Sequence, residues 1–310
     1  MISKKTNSPR QSIVFFGTGQ TSLEALQCLS EVFDIELVVT KPPASNSAGK
    51  LFKNAVQLWA ENNSIDVINP SSKADISTLI SSARLSSKVA VVLDFGMIIP
   101  KDVIETFEYG ILNSHFSLLP KYRGADPIRT ALINGDATTG VTIIKITPGL
   151  DDGPILTWAE VDCKNYNAIE LREKLSSVNC ALLPETIELY LHGQLDAVDQ
   201  DESAVSSTKK TTKQDGLIDP KKPASELANE VRAYAGWPKS YIVSNDNTYI
   251  VLSALASKQT AARGELRAEG GKLYFGCSDG SLQILSIQPA GKAPMDAMGF
   301  INGYQNIIGK

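Results

Sequence analysis

The chain has 310 residues, 43% hydrophobic and 21% charged, with a formal net charge of −4, enough for one large or two ordinary domains and unlike any fibrous or low-complexity composition. Its four cysteines, Cys28, Cys163, Cys180 and Cys277, form no C-x-x-C pair, so neither a zinc site nor a disulfide framework is indicated and a reducing cytoplasm is the expected setting. The first ten residues are polar and no apolar run reaches about eighteen residues, so neither secretion nor membrane insertion is expected.

In chain order, Ser12 to Phe16 reads as a buried first strand, and Gly17-Thr-Gly-Gln-Thr-Ser22 as the turn into a helix through Leu29. Gly17 and Gly19 lack a third glycine in register, so they read as a tight strand-to-helix turn rather than a dinucleotide fingerprint. A second strand is expected at Ile35 to Val39, followed by a loop with Pro42, Pro43 and Gly49. A helix near Phe52 to Asn62, a short strand at Asp66 to Ile68, a helix from Ile76 to Leu85 and a strand at Val89 to Leu93 come next. Strands alternating with helices imply a Rossmann-like, doubly wound, mainly parallel α/β sheet. A long helix from about Ala168 to Tyr190 closes this part. Residues 196–222 are polar and rich in Ser, Thr and Lys, and read as a linker with a small hairpin. Beyond a helix at Ala224 to Ala235, the short alternating runs Tyr249 to Leu252, Lys272 to Phe275 and Leu282 to Ile287 suggest a small, OB-like β-barrel. The expected domains are therefore 11–195, a linker at 196–222, and 223–310. Residues 1–204 carry 17 Lys and Arg against 25 Asp and Glu, whereas residues 205–310 carry 13 against 9. A tail of charge +4 on a body of −8 hints at a polyanionic partner for the tail.

Chemistry concentrates in Asn113-Ser-His115-Phe-Ser-Leu-Leu-Pro120-Lys-Tyr-Arg-Gly124, followed by Thr139-Gly-Val-Thr142 and Pro148-Gly-Leu-Asp151-Asp-Gly-Pro154. Asn113 and His115, two apart on a strand, share one face, and a later loop can bring Asp151 to them. The chain has only two histidines. An isolated histidine more often satisfies a backbone carbonyl, but the end of an α/β strand is where such folds open their sites, which makes His115 the first candidate for proton chemistry near neutral pH. His192, at a helix end, is assigned no catalysis.

The segment Asn113-x-His115-x-Ser-Leu-Leu-Pro120-x-x-Arg123-Gly124-Ala125, with Thr139-Gly-Val-Thr142 and Gly149-Leu-Asp151-x-Gly153, resembles the site signature of the 10-formyltetrahydrofolate-dependent formyltransferases. Further matches run through Phe16-Gly-Thr18, Phe95-Gly-x-Ile-Ile-Pro100, Asp215-Gly-Leu-Ile-Asp219, Arg232-Ala-Tyr, Trp237-Pro238 and Gln288-Pro-Ala-Gly-Lys292. The last four lie in the tail and set this chain apart from formyltransferases that share only the catalytic domain. The resemblance implies transfer of the formyl group of 10-formyltetrahydrofolate to the α-amine of methionyl initiator tRNA; nothing in the chain indicates a metal, and a cytoplasmic monomer is the default expectation. Asn113, His115 and Asp151 would be catalytic. Phe95, Gly96, Met97 and Ile98, with Ser117, Leu118, Leu119 and Pro120, would line the folate pocket. Residues 11–195 would be the catalytic domain and 223–310 a tRNA-binding domain. Formylation of an amino sugar or other small amine, and a catalytically dead RNA-binding module, are the competing readings.

The chemistry of the trio stands beside that resemblance. An amine attacking a formyl carbon creates a tetrahedral oxyanion, for which the Asn113 amide and a protonated His115 can supply two donors, while Asp151 orients the imidazole, favours its charged form and relays the amine's proton. Arg123 has two open roles, meeting a phosphate or carboxylate of a ligand, or bracing the loop by pairing with Asp126 or Asp152. Lys41, Lys50 and Lys53 give their loop three positive charges and no acid, suited to a tRNA acceptor stem or to plain solvation. Trp237 before Pro238 reads as a packing anchor rather than a base-stacking platform. Three positions depart from the family pattern: Asp94, where a small residue is usual; Asp126, where Ala or Ser is usual; and Gly19, where a proline commonly follows Gly-Thr.

Overall fold

The computed structural model describes residues 10–45, 49–244, 247–258 and 261–308. The polar start expected at Met1 to Pro9, and residues 46–48 of the lysine loop, lie outside the described residues. In chain order the first elements are β1 (Ser12–Gly17), α1 (Gln20–Ser30), β2 (Asp34–Val39), β3 (Ala44–Ser45), β4 (Leu51–Phe52), α2 (Ala55–Asn62), β5 (Val67–Ile68), α3 (Lys73–Ser82), β6 (Ala90–Leu93) and α4 (Lys101–Thr106). There follow β7 (Ile111–His115), α5 (Pro127–Ile133), β8 (Thr138–Lys145), β9 (Ile155–Asp162) and α6 (Ala168–Leu191). The remainder holds α7 (Ala224–Ala233), β10 (Ser240–Ser244), β11 (Asn247–Ser257), β12 (Leu266–Glu269), β13 (Lys272–Gly276), β14 (Ser281–Pro289), β15 (Met295–Asp296) and α8 (Ala297–Gly303).

The first sheet has the order β5-β2-β1-β6-β7-β8-β9. Strands β5 to β7 pair in parallel, and β8 turns antiparallel against β7. The chain leaves β1 toward β2 and β5, then crosses to the other side at β6, so the order reverses between β1 and β6. The carboxyl ends flanking such a reversal form a crevice. The strand interiors are continuous apolar runs because both sheet faces are covered: Val14, Phe16, Leu37, Val39, Ala90 and Val92 form one buried cluster with Ile76 and Ile80 of α3 and with Phe95 and Ile99. Asn54 caps α2 through Gln57 N and Ser72 caps α3 through Asp75 N, which fixes where both helices begin. Cys28 of α1 is bonded to Cys180 of α6, correcting the expectation of no disulfide. Spacing alone could not reveal a pair 152 residues apart.

By density of contacts the chain forms two units. One comprises residues 1–123, 140–160 and 174–206; the other comprises 124–139, 161–173 and 207–310. In the second unit an antiparallel sheet runs β10-β11-β14-β13-β12, with β15 on β14. Its core gathers Leu227 and Val231 of α7, Val251, Leu273, Leu282, Ile284 and Phe300. Register shifts between β11 and β14 at Ser253 bend the long strands, as a curled small sheet requires. Within residues 196–222 the expected hairpin is absent. Two short 3-10 turns, Glu202–Ala204 and Lys213–Gly216, stand there instead, and Val198 pairs with Ile155.

Candidate active site

Strand β7 ends at His115, and its period-two alternation places Asn113 and His115 on one face. The loop after β8 brings Asp151 onto both. Asn113 Nδ2 donates to Asp151 Oδ1 at 3.4 Å, and His115 Nδ1 faces Asp151 Oδ2 at 3.6 Å. The other imidazole nitrogen, Nε2, lies 2.8 Å from the backbone oxygen of Tyr122. Both readings of the lone histidine therefore hold together, since one nitrogen satisfies a carbonyl and the other meets the carboxylate. Both nitrogens face acceptors, an arrangement that a ring carrying two N–H groups satisfies completely. His115 is 6% exposed, so this pair sits where water screens little.

The surrounding backbone is held in unusual conformations. Tyr122 and Asp151 have φ of 64° and 51°, left-handed values that non-glycine residues adopt at a cost. Asp94, at the carboxyl end of β6, has φ of 46°. Hydrogen bonds brace the loops that carry Tyr122 and Asp151. Thr142 Oγ1 donates to Ser117 O at 2.7 Å and accepts from Leu119 N at 3.1 Å, while Ser117 Oγ donates to Lys121 O at 2.6 Å. Gln200 Nε2 donates to the carbonyls of Asp151 and Gly153, each at 2.8 Å. Sequence reasoning missed Gln200, because a glutamine inside a polar stretch without periodicity carries no signal of its own.

Arg123 is 9% exposed. Its Nε and Nη2 donate to Gln200 Oε1 at 3.0 and 2.8 Å, and Nη2 also meets Glu202 Oε1 at 2.8 Å. The expected pairing with Asp126 or Asp152 is thus corrected, and the guanidinium fork that a tRNA phosphate would need is turned inward onto these groups. Asp126 instead pairs with Arg129 at 2.9 Å and accepts from Thr211.

The Phe95 to Ile98 segment lies at the end of β6. Phe95 is 2% exposed, whereas Ile98 is 70% exposed, so the first anchors the turn and the second is open to a ligand. Ser117 and Leu119 are buried, and Leu118 and Pro120 half-buried. The departures at Gly19 and Asp94 meet in space, because any Cβ at position 19 would overlap Asp94 Oδ2. Exclusion of water there pushes the Asp94 carboxyl up, and the nearby Lys41 ammonium opposes it. Lys41 also reaches over Gly96, where a Cβ would lie 2.5 Å from its Nζ.

The three loop lysines have different surroundings. Lys41 sits by Asp94 and Gly96, Lys50 lies 5.4 Å over the Phe52 ring, and Lys53 pairs with Glu61 at 2.6 Å. The loop itself holds no acid, as expected, but Glu61 reaches Lys53 from α2. His192 Nδ1 lies 2.7 Å from Glu188 O at the end of α6. Among the described residues no cluster of three or more His, Cys, Asp or Glu is placed to hold a metal, and no helix is long and apolar enough to cross a membrane.

The formyl transferase profile matches residues 11–187, and that of the formyl transferase C-terminal domain matches residues 210–305. The chain is 34% identical over 298 residues to methionyl-tRNA formyltransferase of Pelobacter propionicus, spanning 94% of this chain and 93% of the relative. It is 36% identical over 294 residues to the enzyme of the same name from Thermodesulfovibrio yellowstonii, spanning 94% and 95%. Among solved structures, an N-formyltransferase from Helicobacter canadensis in complex with folinic acid and dTDP-3-aminofucose superposes with a TM-score of 0.68 at 20% identity, over 90% of this chain and 99% of that one. HypX from Aquifex aeolicus in complex with tetrahydrofolic acid superposes with a TM-score of 0.60 at 13% identity, over 97% and 48%. These two likenesses concern the fold. With both profiles matched and relatives aligned over 94% of its length, the chain belongs to the formyl transferase family.

Proposed function

We propose that the chain transfers the formyl group of 10-formyltetrahydrofolate to the α-amine of methionyl initiator tRNA, with Asn113, His115 and Asp151 as the catalytic trio. The observation that carries the reading is the convergence of Asn113 Nδ2 and His115 Nδ1 on the two oxygens of one loop carboxylate, in a chain aligned over its length with methionyl-tRNA formyltransferases. The amine attacks the formyl carbon, a C–N bond forms, and the carbonyl oxygen takes up negative charge. The Asn113 amide carries two hydrogens, so pairing one with Asp151 leaves the other for that oxyanion. His115 Nε2 is engaged by Tyr122 O and Nδ1 faces Asp151 Oδ2, so a second donation requires Nδ1 to exchange the carboxylate for the oxyanion. As the bond to folate N10 breaks, the amine's proton passes through Asp151 or water to the departing nitrogen.

The folate donor would lie against Phe95 to Ile98 and Ser117 to Pro120, with Ile98 offering exposed apolar surface. Residues 11–195 would form the catalytic domain and 223–310 the tRNA-binding domain. Lys41, Lys50 and Lys53 would face the tRNA acceptor stem; Arg123, turned onto Gln200 and Glu202, supports the site and does not contact tRNA. No step of the transfer calls for a metal. The test is radiolabelled formyl transfer to methionyl-tRNA, with unacylated tRNA and a dTDP-linked amino sugar as controls. Transfer to methionyl-tRNA alone is expected, and transfer to the amino sugar alone would overturn the acceptor assignment.

A further inference from the structure

The second unit carries an aromatic surface that the transfer chemistry does not use. Trp237 is 48% exposed, which the expected role of packing anchor does not account for. The Arg129 guanidinium lies 5.8 Å from the ring centroid, and its Nε donates to the Trp237 carbonyl at 3.2 Å. Arg129 is in turn held by Asp126, which also accepts from Thr211. Thr211 lies between the exposed Lys209 and Lys210 on one side and the exposed Lys213 on the other. The turn that begins at Lys213 ends in Gly216, which packs so closely on Pro238 and Lys239 that a side chain there would overlap the Lys239 carbonyl. The stretch that carries these lysines is thereby tied at Thr211 to the carboxylate that holds Arg129, and at Gly216 to the residues that follow Trp237. The carboxylates in this patch are already engaged, Asp126 by Arg129 and Thr211, and Asp215 by the Thr212 backbone and hydroxyl.

A half-open indole with a guanidinium on its ring, next to a lysine-bearing stretch tied to it through Asp126 and Gly216, matches what an unpaired nucleotide requires. Its base has a π-face to stack, and its phosphates need point charges within a few ångströms. A duplex offers the phosphates but keeps every base inside it stacked between neighbours, leaving a π-face open only at its two ends. We infer that Trp237 and Arg129 form a stacking platform for an unpaired base of the substrate RNA, with Lys209, Lys210 and Lys213 holding the adjoining phosphates. The inference rests on tRNA being the substrate. It adds the location and the chemical reason for a contact made outside the reaction centre.

The full-length Trp237→Ala and Trp237→Phe variants test it by binding to unacylated tRNA and to a blunt RNA duplex of similar length. Loss of one base stack weakens binding about tenfold or more, so Trp237→Ala should lose that much on tRNA and nothing on the duplex, while Trp237→Phe stays within about threefold of wild type. The triple change of Lys209, Lys210 and Lys213 to Ala should lower the salt slope for tRNA by about two units. An unchanged tRNA affinity in Trp237→Ala, or an equal loss on the duplex, overturns the platform. So does a Phe variant as weak as the Ala variant. Circular dichroism and thermal melting of the same samples show that each variant is folded. Wild-type turnover of methionyl-tRNA is read separately: absent turnover with Trp237-dependent tRNA binding would sink the proposed reaction and leave the platform standing.

Discussion

At Asn113 and His115 the sequence and the geometry agree because the information is local: two residues on one strand must share a face. Replacing Asn113 with Ala removes a donor aimed at charge that exists only in the transition state, so turnover should fall about 10² to 10³-fold with folate affinity little changed. His115→Ala should fall at least as far. Steady-state kinetics beside equilibrium folate binding checks both, and more than half of wild-type turnover in either would remove that residue from the reaction. The partners of Arg123 were not legible, since Gln200 and Glu202 come from a stretch with no periodicity to mark them. A second residue-scale test uses the meeting of two family departures. Gly19 has φ of −83°, close to what proline needs, so the obstacle to proline there is the Asp94 carboxylate and not the backbone. Gly19→Pro alone should lower the melting temperature, and adding Asp94→Ser should recover most of the loss. Simple additivity of the two changes, by thermal denaturation, would refute the coupling.

At the scale of elements, strands β1, β2 and β6 and the helices between them were readable because buried parallel strands are continuous apolar runs. Strands β3, β4 and β15 have two residues each, too few for any period to register. One connection between elements depends on charge. Glu36 of β2 accepts from the backbone and hydroxyl groups of Ser86 and Ser87, just before β6. Burial pushes its carboxyl up, but these bonds together outweigh that and hold it below the ordinary glutamate value of 4.5. Because the folded carboxyl is the stronger acid, the stabilisation is complete above pH 4.5 and fades as the pH drops below it. Glu36→Gln should therefore be less stable near neutrality and show a flatter acid limb in urea unfolding. Parallel stability curves for variant and wild type across that range would rule the clamp out.

For the whole molecule, the division expected near residue 196 follows composition, whereas contacts group residues 124–139 and 161–173 with the C-terminal part. The reason lies in side chains that no window of sequence can pair. Arg232 Nη1 donates to the carbonyls of Cys163, Lys164 and Tyr166, and Arg129 meets Trp237. A chain ending at Ser206 would strand those carbonyls and Arg129. Its melting temperature should fall by about 5 °C or more, since each lost kcal/mol costs about 2–4 °C at this size. Calorimetry of the truncated and full chains decides the matter, and equal melting temperatures would mean that those segments hold their shape without the C-terminal part. The bond between Cys28 and Cys180 imposes something further. It closes the polypeptide into a covalent ring in which Asn113, His115 and Asp151 all reside, and the tail follows that ring in sequence. A single proteolytic nick anywhere between those cysteines would leave one molecule on a non-reducing gel and two once a thiol is added, whereas a cut beyond residue 180 would release the tail in either condition.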